Sequence, residues 1–126
     1  MAQTNRKTIL IIDDQDIARK TLRQMLEYYE FEVLEGTNAR EGLEILNRDK
    51  AKIGLVLLDT GLPGISGEKM LLALRSVDPT VQVAPCTDQS VAETKGRDDY
   101  QDVVGVLKKP IRTDRLLAVV RKAMGI

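Results

Sequence analysis

The chain has 126 residues, 43% of them hydrophobic, with 19 basic and 19 acidic side chains and no histidine. That length and apolar content suit one compact domain spanning residues 1–126, and the neutral balance argues against a general electrostatic grip on nucleic acid or an anionic membrane. With no histidine and a single cysteine, Cys86, zinc sites and Ser-His or Cys-His triads are excluded. Carboxylates, lysines, hydroxyls and backbone groups remain, which points to oxygen-ligated metals and phosphate chemistry. No apolar stretch reaches membrane-spanning length, and the first residues lack the apolar core of a secretion signal. A lone cysteine fits a reducing compartment, so a cytoplasmic location is expected.

Thr8 to Ile12 is a β-branched and apolar run ending at Asp13-Asp14, with Asp16 close behind, and reads as a buried strand feeding a helix. Ala18, Thr21, Leu22, Met25, Leu26 and Tyr29 then recur at helical spacing. One aspartate at that junction would serve as a helix-start cap. Two adjacent carboxylates repel each other unless a cation sits between them, so metal binding stands beside capping as a reading of Asp13 and Asp14. Phe31 to Glu35 is a short strand closed by Gly36, and Asn38 with Glu41 makes a capping-box-like start to a helix running to about Asp49.

Ile53 to Leu58 is an apolar run broken only by Gly54, the pattern of a strand buried on both faces of a parallel sheet. Asp59 stands at its carboxyl end, where open α/β sheets place ligands. The loop behind it is tightly shaped, since Gly61, Gly64 and Gly67 give the backbone room and Pro63 fixes one torsion. Ser66 starts a third helix with Met70, Leu71, Leu74 and Val77 inward, stopped at Asp78-Pro79. The methionines read as core filler.

Val81 to Cys86 predicts a fourth strand in which Pro85 is awkward, so a local distortion is expected there. Thr87 follows, by itself an ordinary turn hydroxyl. A helix over Val91 to Tyr100 has little apolar content and is expected to be short or mobile. Val103 to Leu107 predicts a fifth strand closed by Lys108-Lys109-Pro110, and Thr113 a cap for the last helix, with Leu116, Leu117, Val120 and Met124 buried. The alternation is (βα)5, a parallel sheet with helices on both faces, for which 2-1-3-4-5 is the common strand order.

Asp13, Asp14, Asp59, Thr87 and Lys109 all fall at carboxyl ends of strands, which in a parallel sheet share one edge. Three carboxylates make an oxygen-rich site suited to Mg²⁺. A lysine and a hydroxyl beside them suit an arriving phosphoryl group.

In these pieces the chain resembles the receiver domain of two-component response regulators over essentially its whole length. The matching stretches are Ile-Leu-Ile-Ile-Asp13-Asp14, Leu-Leu-Asp59-Thr-Gly-Leu-Pro63-Gly-Ile-Ser-Gly67, the hydroxyl at Thr87, and Lys109-Pro110, with a similar spacing from Thr87 to Lys109. The resemblance implies a flavodoxin-like domain that accepts a phosphoryl group on Asp59 from a histidine kinase or histidine phosphotransfer protein, as a switch rather than a turnover enzyme. It implies Mg²⁺ held by Asp14, Asp59 and the Gly61 carbonyl, with Asp13 helping through water. Thr87 and Lys109 would hold phosphoryl oxygens, with the Thr60 and Asp88 amides adding hydrogen bonds, and Pro63 and Pro110 would shape the site.

Three features depart from the family pattern, one of them Pro85 together with the thin helix over Val91 to Tyr100, which implies a loosely built partner-facing side. Val106 stands three before Lys109 where an aromatic ring is frequent, with Tyr100 too far back to replace it, and Asp88 follows Thr87 where a small residue is common. An inward Asp88 would repel phosphate, and an outward helix cap is the favoured reading. A pseudo-receiver, a docking module not switched by phosphate, is the alternative within the fold. An aspartyl phosphatase lacks its lid, and a dinucleotide binder would need glycines where Asp13-Asp14-Gln15-Asp16 stand. The last helix uses up the chain, so either a stand-alone receiver or a piece of a longer regulator or hybrid kinase is expected. The expected contacts are with proteins, an unknown downstream target among them and a homodimer possible, and not with nucleic acid or membrane.

Overall fold

The structure, a computed structural model, describes residues 6–89, 100 and 102–126. Among them are five strands, β1 Thr8–Ile12, β2 Glu32–Gly36, β3 Ile53–Asp59, β4 Val83–Thr87 and β5 Leu107–Lys108. The helices are α1 Asp16–Tyr28, α2 Ala39–Asp49, α3 Gly67–Val77 and α4 Thr113–Met124. All strands are parallel in the order β2-β1-β3-β4-β5. The flavodoxin-like arrangement expected from the sequence is the one observed.

The unbroken apolar runs follow from having helices on both faces. Ile9 and Ile11 point to one side, where Leu22, Leu26, Leu116, Val120 and Met124 of α1 and α4 cover them. Leu10 and Ile12 point to the other, against Leu46, Met70, Leu71 and Leu74 of α2 and α3. Each such side chain, removed from water, stabilises the fold by about 1.5–3 kcal/mol. No helix among the described residues is long and apolar enough to cross a membrane.

Local signals set several boundaries. The Asn38 side chain accepts the Glu41 N–H at 2.8 Å, and the Glu41 carboxylate reaches back to the Thr37 N–H. Ser66 accepts the Lys69 N–H at 3.2 Å, and α3 ends at Asp78 ahead of the proline. Thr113 is not the cap of the last helix. It is the first helical residue, and Arg112 occupies the cap position without a side-chain hydrogen bond. Thr21 on α1 and Tyr29 at its C-terminal cap are exposed rather than inward, while Arg19 is buried.

Pro85 acts on one side of its strand. The Gln82 and Cys86 carbonyls accept from β3, at the Val56 and Thr60 amides, whereas the Val83 and Thr87 carbonyls accept from Val104 and Lys109. Strand alternation therefore turns Pro85, midway between Val83 and Thr87, towards β5. Its missing N–H leaves the β3 register intact, with Leu58 opposite Pro85, and interrupts the other ladder. The fifth strand is accordingly Leu107–Lys108 rather than Val103 to Leu107. The helix expected over Val91 to Tyr100 lies, apart from Tyr100, outside the described residues.

Candidate functional site

The parallel sheet brings the carboxyl ends of β1, β3, β4 and β5 to one edge. Asp13 follows β1, Asp59 ends β3, Thr87 ends β4 and Lys109 follows β5, so these residues and Asp14 do converge. A carboxylate oxygen from each of Asp13, Asp14 and Asp59 lies within 4.8 Å of the other two. Asp13 and Asp59 are buried and Asp14 is exposed, so the cluster has a floor and an open side. An all-oxygen donor set with room for water suits a hard divalent cation.

Lys109 answers part of this charge. Its Nζ donates to Asp59 Oδ1 at 3.0 Å and lies 3.6 Å from Asp13 Oδ2. Burial works to lower the lysine's pKa, but the Asp59 hydrogen bond and the charges of Asp59 and Asp13 outweigh it and hold the ammonium above its ordinary value. Burial lifts the Asp13 carboxyl above the usual carboxylate range, and the charge of Asp59 adds to that, against the Gln15 N–H and Lys109. That N–H donates to Asp13 Oδ1 at 2.9 Å.

Around the Asp59 carboxylate the loop is close. The Gly61 N–H donates to Asp59 Oδ1 at 3.0 Å, and a Cβ on Gly61 would lie 3.4 Å from that oxygen. Gly64 turns the loop at φ +79°, next to an exposed Pro63. The Thr60 amide is already committed to the Cys86 carbonyl at 3.1 Å, so serving a phosphoryl oxygen would require sharing that bond. Thr87 is buried, and its hydroxyl accepts the Gln89 N–H at 3.1 Å. Asp88 is exposed, and its carbonyl accepts from Lys108 Nζ at 2.7 Å. Lys109 and Pro110 are joined by a cis peptide bond.

Sequence reasoning missed Arg19. Although it reads as one more charge on an amphipathic helix, it is 5% exposed, with Nε on Glu35 at 2.8 Å, one terminal nitrogen on the Asp13 carbonyl at 2.9 Å and the other on Asp16 at 2.6 Å. Glu35 is held below its ordinary pKa because hydrogen bonds from Arg23 and Arg19 overcome the opposing effect of burial. The signal for this arrangement was Glu35 itself, a further acid at a strand's carboxyl end that needed a cation.

The sequence model of the response regulator receiver domain family matches residues 9–121. The chain belongs to that family. This receiver domain is 33% identical over 117 residues to the hybrid signal transduction protein dokA of Dictyostelium discoideum, covering 88% of the chain and 6% of that protein. It is 29% identical over 122 residues to the chemotaxis protein CheY of Listeria monocytogenes, covering 91% of the chain and 96% of CheY. Three other proteins that it matches are spanned to half their length or less. Among solved structures, the receiver domain of the hybrid histidine kinase CckA superposes with a TM-score of 0.76 at 27% identity, over 93% of this chain and 98% of that one.

Proposed function

We propose that this receiver domain takes a phosphoryl group onto Asp59 from the phosphohistidine of a histidine kinase or phosphotransfer protein, and that the modified edge changes which proteins it contacts. The observation that carries this reading is Lys109 Nζ at 3.0 Å from Asp59 Oδ1 beside a three-carboxylate cluster. An Asp59 oxygen attacks phosphorus in line, forming the O–P bond as the N–P bond breaks, and the departing imidazole leaves as neutral histidine once it holds its proton. A Mg²⁺ held by Asp13, Asp14, Asp59 and the Gly61 carbonyl would supply the charge neutralisation that two anionic partners need. Lys109, already on Asp59, is positioned to pair with a phosphoryl oxygen afterwards.

Thr87 supports the switching half of the reading. Its hydroxyl accepts one hydrogen bond now, and turning it to donate to a phosphoryl oxygen alters the end of β4. The Thr87 carbonyl also accepts the Lys109 N–H at 2.8 Å, so a shift of one strand end loads the other.

The test is intact-mass spectrometry after treatment with acetyl phosphate, with and without Mg²⁺, on wild type and Asp59→Asn. The expected result is a Mg²⁺-dependent adduct that the variant lacks. A folded wild-type protein with no adduct overturns the proposal and leaves a docking module that phosphate does not switch.

A further inference from the structure

Tyr100 is 7% exposed and packs in the apolar cluster that contains Leu58, Leu62 and Met70. A tyrosine in such a cluster is ordinarily core filler with its hydroxyl tied down at the rim. The position of this hydroxyl is more particular. A Cβ built on Gly67 would lie 2.2 Å from the Tyr100 oxygen and 3.2 Å from the Thr60 Cβ and Cγ2. The φ of Gly67 is not in the left-handed region, so its backbone does not require glycine. The space does: any side chain there would displace the hydroxyl.

Three groups thus meet at the start of α3: the bare Cα of Gly67, the side chain of Thr60 and the Tyr100 hydroxyl. Thr60 is bonded in the opposite direction as well, since its N–H and its hydroxyl both donate to the Cys86 carbonyl, at 3.1 and 3.3 Å. The residue that follows Asp59 is therefore tied to the strand end bearing Thr87, and its side chain flanks the same bare Cα of Gly67 as the hydroxyl of a tyrosine 40 positions further along the chain (100 − 60).

We infer that Tyr100 is a positioning residue for the acceptor loop: its hydroxyl, seated on Gly67 where the loop behind Asp59 enters α3, sets where that loop lies and moves when Asp59 is modified. The inference rests on the reading of Asp59 as the acceptor. It requires no ring at position 106, where Val106 has none to offer. The contact is steric and polar at one point, so removing a single oxygen atom tests it.

The chain has three tyrosines, and Tyr28 and Tyr29 are 80% and 43% exposed, so ring-labelled tyrosine gives NMR signals with two internal controls. On adding Mg²⁺ and beryllofluoride, the Tyr100 signal should shift while the other two stay, and Asp59→Asn should abolish the shift. In parallel, the rate of phosphorylation by acetyl phosphate is measured for Tyr100→Phe, Gly67→Ala and the double variant, with urea midpoints alongside. Tyr100→Phe should change the rate at least threefold with its urea midpoint near that of wild type. Gly67→Ala should slow the reaction more than Tyr100→Phe does, and the double variant should recover part of that loss because the clashing oxygen is gone while the tighter contact with Thr60 stays.

A Tyr100 signal that stays in place while mass spectrometry shows the Asp59 adduct overturns the inference and leaves the acceptor reading standing. So does a Tyr100→Phe protein that reacts at the wild-type rate. No adduct in any protein removes the acceptor reading, and this inference with it.

Discussion

Asp13 is a carboxylate kept at a cost. Its pKa is raised above the ordinary 3.8, first by burial and then by Asp59. The folded state therefore holds this proton more tightly than the unfolded chain, and stability falls as pH rises from 3.8 through the folded value. Asp13→Asn removes that slope and keeps an oxygen for the Gln15 N–H. Without divalent cations it should stabilise the protein at neutral pH, a gain that vanishes as pH falls to 3.8, read from urea midpoints. Unchanged stability at neutral pH would mean that Lys109 already offsets the penalty. Arg19 has the opposite sign. Arg19→Met removes a buried guanidinium that serves Glu35, Asp16 and the Asp13 carbonyl, and should cost about 3 kcal/mol in the same assay.

Elements meet most tightly where glycine lets backbone touch backbone. A Cβ on Gly54 in β3 would lie 2.1 Å from the Arg6 carbonyl oxygen, which cannot yield without moving the chain. A Cβ on Gly42 in α2 would meet the buried Ile12 side chain, with Cδ1 at 2.5 Å and Cγ1 at 2.9 Å, where the obstacle is a side chain rather than backbone. Gly54→Ala should therefore cost about 3 kcal/mol, and Gly42→Ala a smaller amount, about 1–2 kcal/mol, because helix propensity favours alanine there and part of the overpacking falls on a side chain. Equal losses in urea unfolding would contradict this account.

The same contrast separates what was legible in the sequence from what was not. Runs such as Ile9 to Ile12 and Leu55 to Leu58 announce doubly buried strands, and the acids and the lysine at their ends announce a shared edge. The shortness of β5 was hidden because it depends on which neighbour Pro85 faces, a fact of pairing rather than of composition. Arg19 was hidden because a helix pattern counts any arginine as solvated. Tyr100 was set aside on sequence distance from Lys109, whereas its hydroxyl reaches Gly67, at the end of the loop behind Asp59, through the fold.

Across the whole molecule the functional edge is fastened unequally. On the β1–β2 side, five register pairs and the Arg19–Glu35 bridge hold the strand ends together. On the β4–β5 side, two register pairs and the Lys109 contacts do so. Amide hydrogen exchange should show a gradient, with β1 and β3 most protected and Leu107 and Lys108 exchanging faster than any residue of β1. Uniform protection would contradict it. A perturbation at Asp59 accordingly has one compliant direction, towards β4 and β5.

Cys86 lies in that direction. It is the chain's one cysteine, 2% exposed, with burial pushing its thiol up to about 12. Such a thiol is neither ionised nor reachable, so a labelling reagent can attack it only during moments when the strand end comes apart. The labelling rate then counts openings of the seam beside Asp59, with no engineered probe. Disulfide reagents should modify the native protein at least a hundredfold more slowly than the urea-unfolded chain, and more slowly again with Mg²⁺ and beryllofluoride present. The thiol thus works as a clock for how often the edge around Asp59 lets go.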